Sequence, residues 1–378
     1  MARSGAVSAL ARRSLAPVKD LIGTITTLVD VGATTETAYG WLLVIRLDLV
    51  GMRICVVGGG SWGTTIAVLN APSNETILWA RRGELVDEIN KKHTNSRYLG
   101  EHKLPEALRA TSDIAAAVAG ADVVAMAVPS QAMSSVMREV APNLRSSAVL
   151  MSLSKGLERI SLLRMSEVIG AIAPNNPVAV LSGPNLAHEI LAGQPAASVI
   201  ACEDLDVAMM LQELFAKPAF RLYTNPDVVG CEIGGVVKNV VAIATGIAQG
   251  FGFGENTRAT IVTRGLAEMS RLGAALGAQT QTFAGLAGLG DVMATCASAH
   301  SRNTTVGMRL GRGESILAIT ASMQTIAEGV QSASAVLALA RRHGVEMPIT
   351  QQVAAVCEGE ISAADAWRVL LSRSNKSE

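Results

Sequence analysis

The sequence feature that most constrains the fold is a glycine-rich turn between a short apolar strand and a helix. Residues 53–58 read as a buried strand and residues 61–69 as a helix. Gly58, Gly60 and Gly63 join them with G-x-G-x-x-G spacing, and this context matters because a chain with 35 glycines produces such spacing by chance. The first glycine allows a tight turn, the second lets backbone amides approach a pyrophosphate, and the third permits close packing of helix on strand. The sequence therefore predicts a dinucleotide-binding site at this turn.

Strands and helices alternate in the residues that follow the turn. A second strand at 76–79 completes a βαβ unit. Further strands are predicted at 123–128, 148–152 and 179–181, and helices at 133–140 and 162–172. This alternation predicts an α/β fold with a mostly parallel, doubly wound sheet of the Rossmann type.

The pattern changes after residue 226. Alanine-rich helical patterns cover 236–248, 259–276, 315–319 and 330–342, with no convincing strand among them. Pro226 marks the break, because a proline disfavours helix in the residue before it. We therefore expect a dinucleotide-binding domain at 52–226 and an all-α substrate-binding and catalytic domain at 227–378.

The first 51 residues form an N-terminal extension with two interpretations. Arg3, Arg12, Arg13 and Lys19 precede the first acidic residue, which is the composition of a transit peptide. The interpretation that we favour is that Met52 is the true start and that the upstream stretch is a mis-assigned extension. Mass spectrometry of the native N-terminus distinguishes the two.

Composition favours a globular protein that acts on small molecules. A chain of 378 residues with 49% hydrophobic and 17% charged residues can form the cores of two domains. Its 32 basic and 32 acidic residues offer no electrostatic track for nucleic acid or an acidic membrane surface. No uninterrupted apolar run reaches the roughly 18 residues of a membrane span. We expect a small-molecule substrate, no nucleic-acid partner and no integral membrane span.

The five cysteines are scattered, without zinc-type or redox-type spacing. This pattern is typical of a reduced compartment, so we expect a cytoplasmic protein. The sequence contains no ligand cluster for a metal, and we assign none. We also expect a homodimer.

Two arginines follow the second strand, where a dinucleotide fold selects its cofactor. An acidic residue at this place would bind the ribose hydroxyls of NADH, and none is present. Arg81 and Arg82 instead offer guanidinium groups that suit the 2′-phosphate of NADPH. The alternative is that they are solvated residues at a helix start, and for Arg82 this alternative has equal weight. NADPH is therefore the favoured cofactor, with NADH possible.

Separated motifs from Met52 to near the C-terminus give the chain a close resemblance to the NAD(P)-dependent glycerol-3-phosphate dehydrogenases of bacterial type. No single motif decides this, but their order and spacing make coincidence improbable. The motifs are VVGGGSWGTTIA at 56–67, SKGLE at 154–158, LSGPNLAHE at 181–189, VVKNVVAIATG at 236–246, GLGDVMATC at 288–296, SRN at 301–303 and AEGV at 327–330.

The resemblance implies reduction of dihydroxyacetone phosphate to glycerol 3-phosphate, the backbone precursor of phospholipids. A ketone needs a hydride on carbon, which the nicotinamide supplies, and a proton on oxygen. Lys238 is the candidate proton donor, because a lysine among apolar residues facing the cofactor can have its pKa lowered toward the working range. The alternative is an ordinary snorkelling lysine. Lys238 and Asn239 are nevertheless the only such side chains in an apolar stretch, and their burial needs a reason.

The resemblance also implies a set of binding residues, and no histidine among the catalytic ones. The sequence departs from the family where Asn185 and Leu186 replace a hydroxyl residue and Phe, and where Ala327 replaces Val. The implied substrate contacts are Lys155, Gly183, Asn185, Lys238, Asp291, Thr295, Ser301, Arg302 and Asn303. The implied cofactor contacts are Gly58, Gly60, Ser61, Trp62, Gly63, Arg81, Arg82, Lys155, Ala187, Arg302 and Glu328.

Ordinary structural roles compete with several of these assignments. Asp291 after a glycine turn suits a helix N-cap, and Ser301 to Asn303 suit a capped helix start with a surface arginine. Two other functions also compete: a related 6-phosphogluconate or hydroxyisobutyrate dehydrogenase, and a dinucleotide-binding sensor without activity. The set Lys155, Lys238, Asp291 and Arg302 argues against the sensor, which needs neither proton-transfer nor phosphate groups.

Overall fold

An eight-stranded sheet forms the first part of the computed structural model, which describes residues 51–323 and 327–372. The strand order is β3-β2-β1-β4-β5-β6-β7-β8. All neighbouring strands pair in parallel except β6 and β7, which are antiparallel. The strands are β1 Arg53–Val57, β2 Glu75–Trp79, β3 Arg109–Thr111, β4 Val123–Met126, β5 Val149–Ser152, β6 Val178–Ser182, β7 Ala196–Ala201 and β8 Phe220–Asn225.

Helices cover both faces of the sheet, as a doubly wound fold requires. In β1, Ile54 and Val56 enter one hydrophobic core, while Cys55 and Val57 enter the core on the opposite face. Continuous burial along β1, β4 and β5 is why these strands read as apolar runs in the sequence. The helices are α1 Ser61–Asn70, α2 Gly83–Lys92, α3 Ser96–Leu99, α4 Ile114–Val118, α5 Met133–Val140, α6 Met165–Ile172, α7 Ala187–Leu191 and α8 Leu205–Phe215.

The rest of the described chain is helical and packs around one long helix, α9. This helix is apolar on all sides and is long enough to cross a membrane, but 89% of its most apolar window is buried inside the protein. It is therefore the central core helix of this part. The helices are α9 Val228–Gly250, α10 Glu255–Ala275, α11 Thr280–Ala284, α12 Asp291–Ala297, α13 Arg302–Gly311, α14 Ile316–Ser322, α15 Glu328–Arg342, α16 Pro348–Glu358 and α17 Ala363–Leu371.

Glycines let α9 and α13 cross at backbone contact. A Cβ atom on Gly246 would lie 3.0 Å from the Cα of Gly307, and one on Gly307 would lie 2.1 Å from the carbonyl oxygen of Ile243. Gly250 and Gly311 meet in the same way one turn further along. This crossing fixes the start of α13 relative to α9.

The predicted fold class is confirmed, while element bounds and three strands differ from prediction. The helix expected at 162–172 begins only at Met165, because Leu162 has a left-handed φ of 64° that a helix does not accommodate. Strands β3, β7 and β8 are additions to the prediction. The connection between Asn225 and Val228, where a domain break was predicted, links the last strand to α9. The predictions about residues 1–50 lie outside the described residues.

Candidate active site

The glycine turn after β1 has the close contacts that only glycines permit. Gly58 has a φ of 128°, and a Cβ there would lie 2.5 Å from the carbonyl oxygen of Ala127. A Cβ on Gly63 would lie 2.0 Å from the carbonyl oxygen of Gly58. The first and third glycines of the spacing therefore close the turn and seat α1 against it.

The second glycine faces open space at the start of α1. A Cβ on Gly60 would meet nothing within 4 Å, and no side chain caps the helix that begins at Ser61. Backbone amides at an uncapped helix N-terminus bind phosphate groups well. Trp62 turns its ring toward Phe220, with ring centroids 6.2 Å apart. The turn fits a dinucleotide pyrophosphate.

A buried asparagine outside the predicted site supports this turn. The Nδ2 of Asn95 donates to the carbonyl oxygen of Gly59 at 3.1 Å and to Oγ1 of Thr64 at 2.8 Å. Asn95 is 0% exposed, so its hydrogen bonds are protected from water. No spacing pattern pointed to Asn95, because it lies 36 residues from Gly59.

Exposed arginines follow β2 as expected. Arg81 and Arg82 are both exposed, and the guanidinium of Arg82 lies 5.9 Å from the ring centroid of Tyr98. Arg97 approaches the same ring at 5.8 Å. Tyr98 and Arg97, on α3, were not among the predicted residues. Three guanidinium groups thus lie at the edge of the sheet next to the glycine turn.

Two lysines and one aspartate meet where the sheet and the helical part join. Lys155 follows β5, Lys238 lies in the middle of α9, and Asp291 is the first residue of α12. The Nζ of Lys155 lies 2.5 Å from Oδ2 of Asp291, and the Nζ of Lys238 lies 3.0 Å from Oδ1. These side chains are 13%, 12% and 2% exposed, so the charges are largely removed from water. The structure brings together residues that are far apart in the sequence.

Burial sets the ionisation of this cluster. It lowers the pKa of Lys155 to about 8, against the charge of Asp291, which favours the protonated lysine. The charge of Lys238 lowers that pKa further. Burial also raises the pKa of Glu328, and the positive charges of Arg302, Lys238 and Lys155 oppose the rise. A lysine that changes charge near neutral pH therefore lies at the centre of the cluster.

Asp291 is held by its own helix and does not cap it. The N-cap of α12 is Gly290, at the end of the π-helical segment Leu286–Gly290. Thr295, one turn on, accepts a hydrogen bond from Nζ of Lys238 at 2.7 Å and donates to Oδ1 of Asp291 at 3.3 Å. The helix-cap interpretation of Asp291 is therefore wrong, since its carboxylate faces the lysines.

The segment Ser301 to Asn303 begins α13. The hydroxyl of Ser301 caps the helix by accepting from the amide of Thr304 at 3.2 Å. Asn303 donates to Oδ1 of Asn239 at 2.9 Å and accepts from the amide of Gly329 at 3.0 Å. The capped helix start is thus real for Ser301, and Asn303 ties together the helices that carry Lys238 and Glu328.

The loop after β6 lies against Lys155. Gly183 has a φ of 133°, and its carbonyl oxygen accepts from Nζ of Lys155 at 2.7 Å. Asn185 accepts a hydrogen bond from the hydroxyl of Ser198 through Oδ1, while its buried Nδ2 has no partner within the described residues. Ala187 is the buried first residue of α7. The Nδ2 of Asn185 is therefore a donor suited to a ligand.

Two family models match this chain. The model of the NAD-dependent glycerol-3-phosphate dehydrogenase N-terminus matches residues 53–208, and that of the C-terminus matches residues 227–368. The Sphingopyxis alaskensis protein named glycerol-3-phosphate dehydrogenase (NAD(P)+) 2 is 52% identical over 85% of this chain and 97% of its own length. The glycerol-3-phosphate dehydrogenase, NAD(P)+, of Corynebacterium glutamicum strain R is 51% identical over 86% of this chain and 100% of its own length.

Solved structures show the same architecture. A glycerol-3-phosphate dehydrogenase from Coxiella burnetii superposes with a TM-score of 0.83 at 36% identity, covering 86% of this chain and 100% of its own. A ketopantoate reductase from Ralstonia eutropha gives a TM-score of 0.54 at 16% identity, covering 84% of this chain and 100% of its own. The second likeness concerns the fold alone.

Proposed function

This chain belongs to the NAD-dependent glycerol-3-phosphate dehydrogenase family and reduces dihydroxyacetone phosphate to glycerol 3-phosphate with a nicotinamide cofactor, and we propose that Lys238 donates the proton. The product serves as the backbone of glycerophospholipids. The observation that carries the proposal is the contact of Lys238 and Lys155 with the two oxygens of Asp291.

The glycine turn and the lysine cluster divide the chemistry between them. When bound, the nicotinamide ring supplies the hydride that the carbonyl carbon of the substrate accepts. The amides of Ser61 and Trp62, with Gly58, Gly60 and Gly63, bind the pyrophosphate in this proposal. Ala187, Glu328, Lys155 and Arg302 complete the cofactor contacts.

Lys238 delivers a proton to the carbonyl oxygen as negative charge develops there. Asp291 holds the ammonium group at 3.0 Å, and Thr295 accepts one of its hydrogens at 2.7 Å. The ion pair and this hydrogen bond hold Nζ in place, and an ammonium group with three hydrogens can still donate to the substrate. Lys155 is held by Gly183 and Asp291. In this proposal it places a second positive charge beside the carbonyl oxygen of the substrate.

The phosphate of the substrate binds at the start of α13 in this proposal. Arg302 supplies a guanidinium group, and the helix N-terminus supplies a favourable dipole for an anion. Ser301 and Asn303 keep this segment in place through the cap and the bond to Asn239. Asn303 retains one Nδ2 hydrogen, and Asn185 offers its Nδ2, as further donors to the substrate.

We propose NADPH as the preferred cofactor. The exposed guanidinium groups of Arg81 and Arg82 follow β2 without an intervening carboxylate, which favours a 2′-phosphate over a free ribose hydroxyl. The contact of Arg82 with Tyr98 supports the orientation of one of these groups. We further propose a homodimer, a cytoplasmic location and a division into residues 52–226 and 227–378.

Removal of the Lys238 ammonium group tests the assignment of the proton donor. In the variant Lys238→Ala we expect turnover to fall by about 10²- to 10⁴-fold, the usual contribution of a general acid. The dissociation constant of NADPH, measured by fluorescence titration, stays near that of the wild type, because the glycine turn is intact. Lys217→Ala is a matched control, since Lys217 is a partly buried lysine outside the cluster whose Nζ donates to the carbonyl oxygen of Leu214. Near-normal turnover in Lys238→Ala would refute the assignment.

A further inference from the structure

A buried acid on α9, Glu232, lies outside the proposed chemistry. Glu232 is 6% exposed and lies six residues before Lys238 on the same helix. Its Oε1 accepts from the amide of Ser166 at 2.9 Å. Its Oε2 accepts from Nη1 of Arg164 at 2.6 Å and from the hydroxyl of Ser166 at 2.5 Å. The carboxylate therefore joins α9 to the first residues of α6.

The partners of Glu232 close the loop that presents Lys155. Arg164 is the N-cap of α6 and pairs with Leu157 in an antiparallel bridge. The amide of Glu158 donates to the carbonyl oxygen of Leu163 at 3.0 Å inside that bridge. Lys155 precedes the bridge by two residues. A shift of Arg164 therefore moves the end of the segment from which Lys155 projects.

The same side of α9 contacts Lys155 directly. Glu232, Gly235 and Lys238 follow at intervals of three residues, each about 60° further around the helix, so Gly235 lies midway between the two charged side chains. A Cβ on Gly235 would lie 3.3 Å from Cγ of Lys155. The Lys155 side chain thus packs against α9 between Glu232 on one side and Lys238 on the other.

Electrostatics distinguish Glu232 from an ordinary packing residue. Burial raises the pKa of Glu232, and the charge of Arg164 with the bonds from Ser166 opposes that rise. Burying a carboxylate costs free energy unless a positive charge and hydrogen bonds compensate it. The pair of Glu232 and Arg164 is therefore favourable only in the arrangement that keeps these contacts. That arrangement fixes how far the Lys155 loop lies from α9.

We propose that Glu232 is a positioning residue for the reduction, which holds the Lys155 loop on α9 so that both lysines reach the same Asp291 carboxylate. The proposal rests on the roles assigned to Lys155 and Lys238. Glu232 itself touches neither the substrate nor the cofactor. Its effect reaches the reaction through the distance between the loop and the helix.

The test compares Glu232→Gln with Glu268→Gln. Glu268 is a matched buried acid, 2% exposed, that accepts three hydrogen bonds at the start of α16 from Ile349 and Thr350. We expect both variants to lose stability in urea, and only Glu232→Gln to lose turnover per NADPH-binding site, by about 10- to 100-fold. Its NADPH dissociation constant stays within about twofold of the wild type, because the contacts of the glycine turn do not involve Glu232.

An isotope effect and a charge-conserving variant separate positioning from stability. With NADPH deuterated at the transferred position, the isotope effect on turnover increases in Glu232→Gln, because the misplaced cluster slows the chemical step. Arg164→Lys keeps the charge beside Glu232 and retains more turnover than Arg164→Met. Ser166→Ala removes the hydroxyl that donates to Glu232 and accepts from Arg164, but keeps the amide bond to Glu232. It gives a milder loss of turnover if Glu232→Gln does not fold.

Two results would overturn the proposal. One is equal turnover per binding site in Glu232→Gln and Glu268→Gln, and the other, where Glu232→Gln does not fold, is wild-type turnover in Ser166→Ala. Failure of the proposed function gives a different result, since Lys238→Ala then remains active. An inactive Lys238→Ala beside a fully active Glu232→Gln refutes the positioning role alone.

Discussion

Asp291 pairs with two lysines, although one carboxylate balances only one positive charge. The cluster keeps an excess of positive charge when both lysines are protonated, and Arg302 adds to it. A substrate with a dianionic phosphate, whose carbonyl oxygen becomes negative during reduction, benefits from that excess. Burial raises the pKa of Glu328, so its carboxylate offsets that excess less readily than an exposed glutamate does.

The pH dependence of the reaction reports on Lys155. Its folded pKa of about 8 lies below the ordinary lysine value, so the free enzyme loses this positive charge as the pH rises through about 8. We expect kcat/KM for dihydroxyacetone phosphate to fall above that pH, because at saturating NADPH this ratio reports ionisations of the cofactor-bound enzyme before the substrate binds. A pH series of initial rates at saturating NADPH measures this.

Two variants show which residue causes the fall of kcat/KM at alkaline pH, the alkaline limb of the profile. In Lys155→Met the limb disappears and the rate is low throughout the range. Lys217→Ala retains the limb, although burial also lowers the pKa of Lys217. An unchanged limb in Lys155→Met would show that another group titrates there.

For individual residues, the sequence indicated which side chains to consider but not which of them contact one another. Lys238 stood out because a lysine in an apolar helix needs a reason. The pairing of Lys155 with Asp291 joins residues 136 positions apart, and no local pattern encodes such a distance. Asn95 and Glu232 gave no signal, because a single buried polar side chain is recognised only when its partners are known.

At the scale of elements, α9 connects most features of the site. It carries Glu232, Gly235 and Lys238 on the side that faces the sheet, and Gly246 and Gly250 where it crosses α13. The crossing places the first residues of α13, the proposed phosphate segment, beside Lys238. Helix packing at backbone contact therefore has a consequence for substrate binding.

The variant Gly307→Ala tests that consequence. Its added methyl group would lie 2.1 Å from the carbonyl oxygen of Ile243, so the helices must separate. We expect a loss of about 1–3 kcal/mol in the free energy of unfolding, as in other overpacked cores. The KM for dihydroxyacetone phosphate increases as the start of α13 shifts, while the dissociation constant of NADPH changes little. Urea unfolding and steady-state kinetics measure these quantities.

Gly170→Ala is the matched control for that variant. A Cβ on Gly170, within α6, meets nothing within 4 Å. The same change there should stabilise the protein slightly, because alanine favours helix over glycine. Equal stability of Gly307→Ala and the wild type would contradict the described crossing.

Strands β3, β7 and β8 were not predicted from the sequence, and each omission has a physical reason. Strand β3 has three residues, too few for a period to show. Strand β7, AASVIA, is rich in alanine, which is a weak strand former. Strand β8 alternates buried Phe220 and Leu222 with exposed Arg221 and Tyr223, and this is the pattern of an edge strand. Its parallel pairing with β7 depends on tertiary contacts.

At the scale of the whole molecule, the proposed function assigns different components of one reaction to the two parts of the chain. The sheet supplies the glycine turn, the arginines after β2 and Lys155 at its carboxyl edge. The helical part supplies Lys238, Asp291 and the start of α13. The hydrophobic pattern of the sequence changes near Pro226, and this change predicted the division. The contact of the two parts at Asp291 is seen only in the structure.

The chain reduces dihydroxyacetone phosphate, and we propose that it does so with a preference for NADPH. The most direct measurement is the loss of reduced-nicotinamide absorbance with dihydroxyacetone phosphate, run with NADPH and with NADH, for the wild type and Arg81→Ala. We expect substrate-dependent oxidation with kcat/KM about 10- to 100-fold higher for NADPH, the range that a charged hydrogen bond of about 1.5–3 kcal/mol provides. Arg81→Ala should lower kcat/KM with NADPH much more than with NADH. No dihydroxyacetone phosphate-dependent oxidation with either cofactor would contradict the function, and equal losses with both cofactors in Arg81→Ala would contradict the preference.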